Sequence, residues 1–95
     1  MENVSFNYSD EEYGWVSEDI VLTDNIVLLI SLKEKGVIVV EKRNPDEAEW
    51  PKVCLTKPVK DAELKFYGEC EGMVLRVLTA AEPESMGYVR IGATN

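Results

Sequence analysis

The chain contains no histidine. That absence removes the usual general base of serine and cysteine hydrolases, the commonest zinc ligand and the one side chain that ordinarily titrates near neutrality. Cysteine is almost as scarce, with Cys54 and Cys70 the only two. They lack CxxC spacing, and two thiols without histidine do not complete a structural zinc site. Cys54 lies in the strand-like run Val53, Cys54, Leu55, Thr56, where a thiol behaves as a small apolar group. Cys70 stands between Glu69 and Glu71, whose charges disfavour the thiolate and make it a poor nucleophile. With no secretion signal in view, both are expected to be reduced thiols rather than a bridge.

Long apolar runs are missing as well. The longest unbroken one covers residues 26–30, five residues, against the roughly 20 that a bilayer-spanning helix needs. The first residues carry neither a basic start nor an apolar stretch, so they do not read as a secretory signal. A soluble, cytoplasmic protein is the expectation. Six glycines and four prolines in 95 residues are too few for a collagen-like or low-complexity chain, and the 27 Val, Ile, Leu and Phe residues are enough to collapse it. One core and one β domain over residues 1–95 are expected.

Positive charge is absent from the whole first third. Seven acids, Glu2, Asp10, Glu11, Glu12, Glu18, Asp19 and Asp24, precede the first base, Lys33; beyond residue 24 eleven acids face ten bases. The formal charge of −8 is the wrong sign for releasing counterions from a phosphate backbone, so nucleic-acid binding is not expected. The acidic segment 1–24 reads first as a solvated surface, and second as a patch that meets a basic partner.

Phosphate-cradling glycine motifs are lacking: Gly68 and Gly72 are not followed by Lys-Ser/Thr, and no GxGxxG occurs. The calcium-loop pattern is missing too. Carboxylate pairs abound, but none has a spacing that singles out an acid and a base. The expectation is therefore a non-enzyme with no cofactor, no metal and no small-molecule ligand.

What the chain does contain is β-forming residues. Val and Ile number 17 and Ala only five, a bias toward pleated surfaces rather than helices. Val4, Phe6 and Tyr8 alternate with polar residues at the strand period. Short strands follow at 15–17 and at 20–23, the latter closed by the turn pair Asp24-Asn25. Residues 26–32 are apolar on both faces, the mark of a central strand. Residues 33–36 form a polar loop in which Gly36 supplies a positive φ, and 37–40 returns as the second arm of a hairpin. Asn44-Pro45 with Asp46 and Glu47 fits at most a short helical turn near 45–50, stopped by Pro51. Strands at 52–56 and 63–67 follow; the latter pairs as a second hairpin with 73–79 across the glycines Gly68 and Gly72. Residues 80–87 form a loop, and 88–91 the last strand. Seven to eight short strands with turn signals between them predict a small antiparallel β-sandwich, with a small barrel as the alternative.

The candidate partner contacts are Asp10, Glu11, Glu12, Tyr13, Trp15 and Trp50. The three acids stand together in a polar turn. Each aromatic lies beside a turn or loop, where it can either close one end of the core or anchor a partner. Lys65, Arg76 and Arg90 punctuate apolar strands and mark outward faces or guarded edges, and only by converging could they form a basic stripe. The function expected is protein contact, foremost as a self-associating structural or assembly subunit. The alternatives are an acidic inhibitor or immunity-type protein covering a basic site, and a carbohydrate-binding sandwich that uses exposed tryptophan.

Overall fold

Alternation along one strand sets the core. From Asn25 to Gly36 the side chains of Ile26, Leu28, Ile30 and Leu32 are excluded from solvent, while Val27, Leu29 and Ser31 between them are half-buried. The period of two puts the first set on one face of the pleat and the second on the other. The structure, a computed structural model, describes residues 1–12, 14–68 and 72–92.

Ten strands run in chain order: β1 (Glu2–Asn3), β2 (Phe6–Ser9), β3 (Gly14–Ser17), β4 (Ile20–Val21), β5 (Asn25–Gly36), β6 (Ile38–Arg43), β7 (Lys52–Leu55), β8 (Val59–Phe66), β9 (Val74–Thr79) and β10 (Pro83–Gly92). They form two antiparallel sheets. Sheet 1 has the order β1-β10-β5-β8; sheet 2 has the order β2-β3-β9-β6-β7, with β4 also pairing β9. Their inner faces share one apolar cluster, in which Ile26, Leu28, Ile30, Leu32 and Met86 of sheet 1 join Ile20, Ile38, Val40, Leu75 and Val77 of sheet 2. The architecture is the expected all-β sandwich. The strand number exceeds seven to eight, with two-residue β1 as an unexpected piece, while the strand expected at 20–23 is cut to the two residues of β4. β3 and β4 both lie along β9, and the chain bulges between them; there the Ser17 hydroxyl accepts the Val77 N–H (2.8 Å) in place of a backbone carbonyl.

Three local expectations are overturned. Residues 33–36 are not a hairpin loop: β5 continues through them, and β6 lies in the other sheet beside β9 and β7. Nor does Gly36 serve a positive φ. It lies where β5 passes Ala81, and a Cβ there would come within 2.8 Å of the Ala81 Cβ. The second expected hairpin fails in the same way, since β8 belongs to sheet 1 and β9 to sheet 2. Gly72 does have φ +83°, the left-handed conformation that glycine adopts without steric cost, but it leads into a strand on the opposite layer. Finally, β10 starts at Pro83, so most of the expected 80–87 loop is strand. Pro83 pairs Leu32 just before a bulge, a position that tolerates a residue with no N–H to give.

No helix occurs among the described residues. The segment 44–47 makes one turn, with the Glu47 N–H donating to the Asn44 carbonyl (3.0 Å) and the Asn44 amide to the Glu47 carboxylate (2.7 Å). Thr56 ends the β6–β7 ladder from both sides: its Oγ1 accepts the Ile38 N–H, and its own N–H donates to the Ile38 carbonyl, each at 3.0 Å. Three residues later the chain has crossed to sheet 1 as β8. At the opposite flank, Val4 and Ser5 make the same kind of crossing from β1 to β2, with the Val4 N–H on the Met86 carbonyl.

Two measurements test this layering. Leu28→Ala should lower unfolding free energy by about 2–5 kcal/mol through lost burial and a residual cavity, whereas Leu29→Ala on the opposite face should cost less than half as much in the same urea titration. Gly36→Ala should destabilise, and adding Ala81→Gly should recover part of the loss, since the Ala81 backbone nitrogen still lies 3.1 Å from the added Cβ.

Candidate functional site

The outer face of sheet 2 gathers the charged and aromatic side chains. Register pairs Arg76 of β9 with Glu41 of β6, and Glu41 with Lys52 of β7, in one row across three strands. The neighbouring row is apolar, Val16, Leu78, Val39 and Leu55 on four successive strands. Cross-strand neighbours on one face interact directly, so the face carries a polar stripe beside a greasy one. On this face a groove of about 270 Å³ is lined by Val37, Val39 and Leu78 together with Glu12, Glu41 and Lys52.

Arg76 is the hub of the polar stripe. Its Nε donates to the Glu41 carboxylate at 2.7 Å, and its Nη2 lies 3.9 Å from a Glu12 oxygen. Its guanidinium also lies 4.5 Å from the centre of the Trp50 ring, and that of Arg43 lies 5.0 Å from the same ring. The indole thus caps the pair of guanidiniums by cation–π contact and shields the Arg76–Glu41 bridge from water. The Glu41 side chain is 11% exposed and Glu12's is 43%, so the first pair is screened much less than the second. The Arg43 Nε is buried without a hydrogen-bond partner, and its partner in this cluster is the indole.

The expected contact residues therefore divide. Asp10, Glu11 and Glu12 form the exposed turn between β2 and β3, braced by the Glu12 N–H on Ser9 Oγ (3.3 Å). Only Glu12 reaches over the sheet to Arg76, and through Arg76 it meets Trp50. Tyr13 lies outside the described residues. Trp15 is half-buried at the other side of β3, held edge-to-face by Phe6 (6.1 Å) and Tyr8 (5.5 Å). Both tryptophans are half-buried, and both rings are already engaged by the protein. Arg76 does mark an outward face, one of the uses expected of it, but it also joins Glu41 at the centre of the site, and neither residue is among the expected contacts. Their signal was two opposite charges inside apolar runs, at positions 35 apart, and nothing local joins them.

Lys65, Arg76 and Arg90 do not converge. Lys65 is on the outer face of sheet 1 opposite Val27, and Arg76 is on sheet 2. Arg90, expected to mark an outward face or a guarded edge, does not stand on an outward face, because it shares its register position with buried Ile26. Its guanidinium turns to the edge of the sandwich, donating to Glu2 (2.9 Å), Thr23 Oγ1 (2.8 Å) and Tyr88 Oη (3.4 Å). Slight burial works against its charge, but the Glu2 hydrogen bond and the negative charges of Glu2 and Asp24, with Tyr88, outweigh it and hold its pKa above the ordinary value.

The second feature is the flank where β7 and β8 end their sheets side by side. Val53 (43%), Leu55 (68%) and Tyr67 (60%) are exposed there. A cleft of about 160 Å³ opens between the layers, lined by Val53, Phe66, Tyr67 and Met73 with Lys42 and Lys65. Cys54, a free and half-buried thiol, lies on β7 opposite Val40; Cys70 lies outside the described residues. Among the described residues no three His, Cys, Asp or Glu side chains are grouped to hold a metal ion, and no helix is long and apolar enough to cross a membrane. Comparison with protein-family models, with curated proteins and with solved structures finds no match to this chain.

The polar stripe predicts an order of effects. Arg76→Met should cost about 1.5–3 kcal/mol in urea unfolding, because a buried carboxylate loses its charged hydrogen-bond donor. Glu12→Gln should leave the midpoint unchanged within error, because an exposed pair near 4 Å contributes little.

Proposed function

We propose that the protein is a non-catalytic interaction module that associates with further copies of itself, using the β7–β8 flank. The observation that carries this reading is the exposure of Val53 and Tyr67 at the cleft that half-buried Phe66 lines, and of Leu55 further along β7, at the flank where, among the described residues, the longer pair of edge strands lies open. Edge strands present unpaired N–H and C=O groups, and proteins that stay single blunt them with short strands, charges or covers. At the β1–β2 flank, β1 is only two residues long and is tied down by Arg90 through Glu2. The β7–β8 flank has four and eight residues of strand and apolar side chains at the rim. Exposed apolar area next to open backbone is what symmetric association buries.

A second reading keeps the hairpin tip in view. Asp10 and Glu11 are exposed at the β2–β3 turn, in the segment without a single base, and such a tip suits electrostatic capture of a cationic partner by an acidic inhibitor or immunity-type protein. Stacking of carbohydrate on Trp15 or Trp50 draws less support, because aromatic and guanidinium contacts already use those rings.

Light scattering across a range from about 1 µM to 1 mM should show mass rising above 10.7 kDa. Leu55→Lys combined with Tyr67→Lys should shift that rise at least tenfold higher in concentration while leaving the melting temperature within a few degrees. A chain that stays monomeric throughout removes the self-association reading. Capture of a basic protein from native lysate that is lost on neutralising Asp10, Glu11 and Glu12 favours the acidic tip instead.

A further inference from the structure

Resting on that reading, we infer that the partner is a second copy of this chain, joined through β8 by a two-fold axis that passes beside Leu64. β8 is the outermost strand of sheet 1: β5 pairs along one side of it, and none of the described strands pairs along the other. Its side chains alternate. Ala62, Leu64 and Phe66 pair with the core positions Ile30, Leu28 and Ile26, while Asp61, Glu63 and Lys65 stand opposite Ser31, Leu29 and Val27 on the outer face. A second β8 added antiparallel by a two-fold axis normal to the sheet keeps inner faces inner and outer faces outer. Only registers in which some residue sits opposite its own copy satisfy this, because any other register sets inner side chains against outer ones.

Centring on Val59 or Phe66, at the strand ends, pairs only one β8 residue with its copy; charge then separates the registers that pair three or more. Centring on Ala62 sets Asp61 opposite Glu63 twice, a like-charge pairing that destabilises. Centring on Asp61 or Glu63 sets two carboxylates face to face, and centring on Lys60 or Lys65 two ammonium groups. Centring on Leu64 sets Glu63 opposite Lys65 twice and places no like charges opposite each other. It also sets Leu64 against its copy and Ala62 against Phe66, so the half-buried inner side chains of β8 continue the core across the junction. The charges on β8 that would repel an arbitrary strand thus accept one partner in one register, which is how an edge can be both guarded and specific.

The test exchanges charges at Glu63 and Lys65, which are exposed, with unchanged melting temperature as the control on folding. Each single variant, Glu63→Lys or Lys65→Glu, replaces two attractive cross-strand pairs by two repulsive ones and should raise the dissociation constant about tenfold or more. The double variant restores complementarity and should return it to within about threefold of the starting value. The two single variants mixed 1:1 should form a heterodimer more tightly than either forms a homodimer, because both 63–65 pairs of the heterodimer are then opposite in sign.

A self-associating protein whose dissociation constant ignores both single substitutions overturns the β8 junction while leaving self-association standing on another surface. Single variants that weaken without rescue by the double variant overturn the Leu64-centred register, since in the Glu63-centred one the double exchange adds repulsion. A protein that stays monomeric at every concentration removes both this inference and the reading it rests on.

Discussion

Burial of one face of β5 is the constraint on which the rest of the structure hangs. Ile26, Leu28 and Leu32 have no exposed surface, and Ile30 almost none; each such side chain contributes on the order of 1.5–3 kcal/mol when taken out of water. To achieve that, β5 must be flanked on both sides and roofed. β10 and β8 flank it within sheet 1, and Ile38, Val40, Leu75 and Val77 lie across from it in sheet 2. The strand is too long to end where its apolar run ends. It continues through Lys33, Glu34 and Lys35 to Gly36, pressed against Ala81, and there the chain changes layer. Were the chain to fold back at residue 33, as a hairpin would, β6 would pair with β5 and Ile38 and Val40 would leave the roof.

That choice between folding back and crossing over marks where the sequence stops being readable. Period-two alternation, the Val and Ile content and the turn residues are local properties, and they locate most strands, the buried face of residues 26–32 and the sandwich class itself. Whether two successive strands pair with each other depends on what lies across the core. Residues 33–36 and 68–72 look like hairpin turns because both hold glycine beside polar residues. In the first, glycine is needed because Ala81, 45 positions later, leaves no room for a Cβ; in the second, the chain passes to the opposite sheet. Neither neighbour is visible in the local pattern.

The polar stripe has the same character. The acidic turn at residues 10–12 is recognisable from three adjacent carboxylates, and Trp50 from its place beside Pro51. Their connection is not, because it runs through Arg76, which the β6–β9 register sets beside Glu41 and which then collects Trp50 and Glu12. A tryptophan read as either a core plug or a partner anchor turns out to have a third use. It covers a buried ion pair whose two charges would otherwise be exposed on an outer face, and it closes the 44–51 loop over sheet 2 through Arg43 and Arg76. The indole raises the strength of the bridge by excluding water, and the bridge in turn fixes the strands on which the neighbouring apolar row Val16, Leu78, Val39 and Leu55 stands.

Both flanks of the sandwich are crossed by short links, yet they are treated differently. At β1–β2 the chain crosses at Val4 and Ser5, the edge strands are two and four residues long, and Arg90 ties Glu2 to Thr23. Little free backbone remains on β1 to recruit another strand. At β7–β8 the link of residues 56–58 leaves the eight residues of β8 open, with Phe66 only half-buried and Tyr67 outside. The core therefore does not close on itself at that side. An inner row that ends half-buried at an open edge has already met most of the cost of ordering its side chains and has yet to gain the rest of their burial. In the proposed dimer, completing that row is the stronger drive to association and the charges above it choose the register, so that greasy inner residues would supply affinity and alternating outer residues selectivity on the same eight-residue strand.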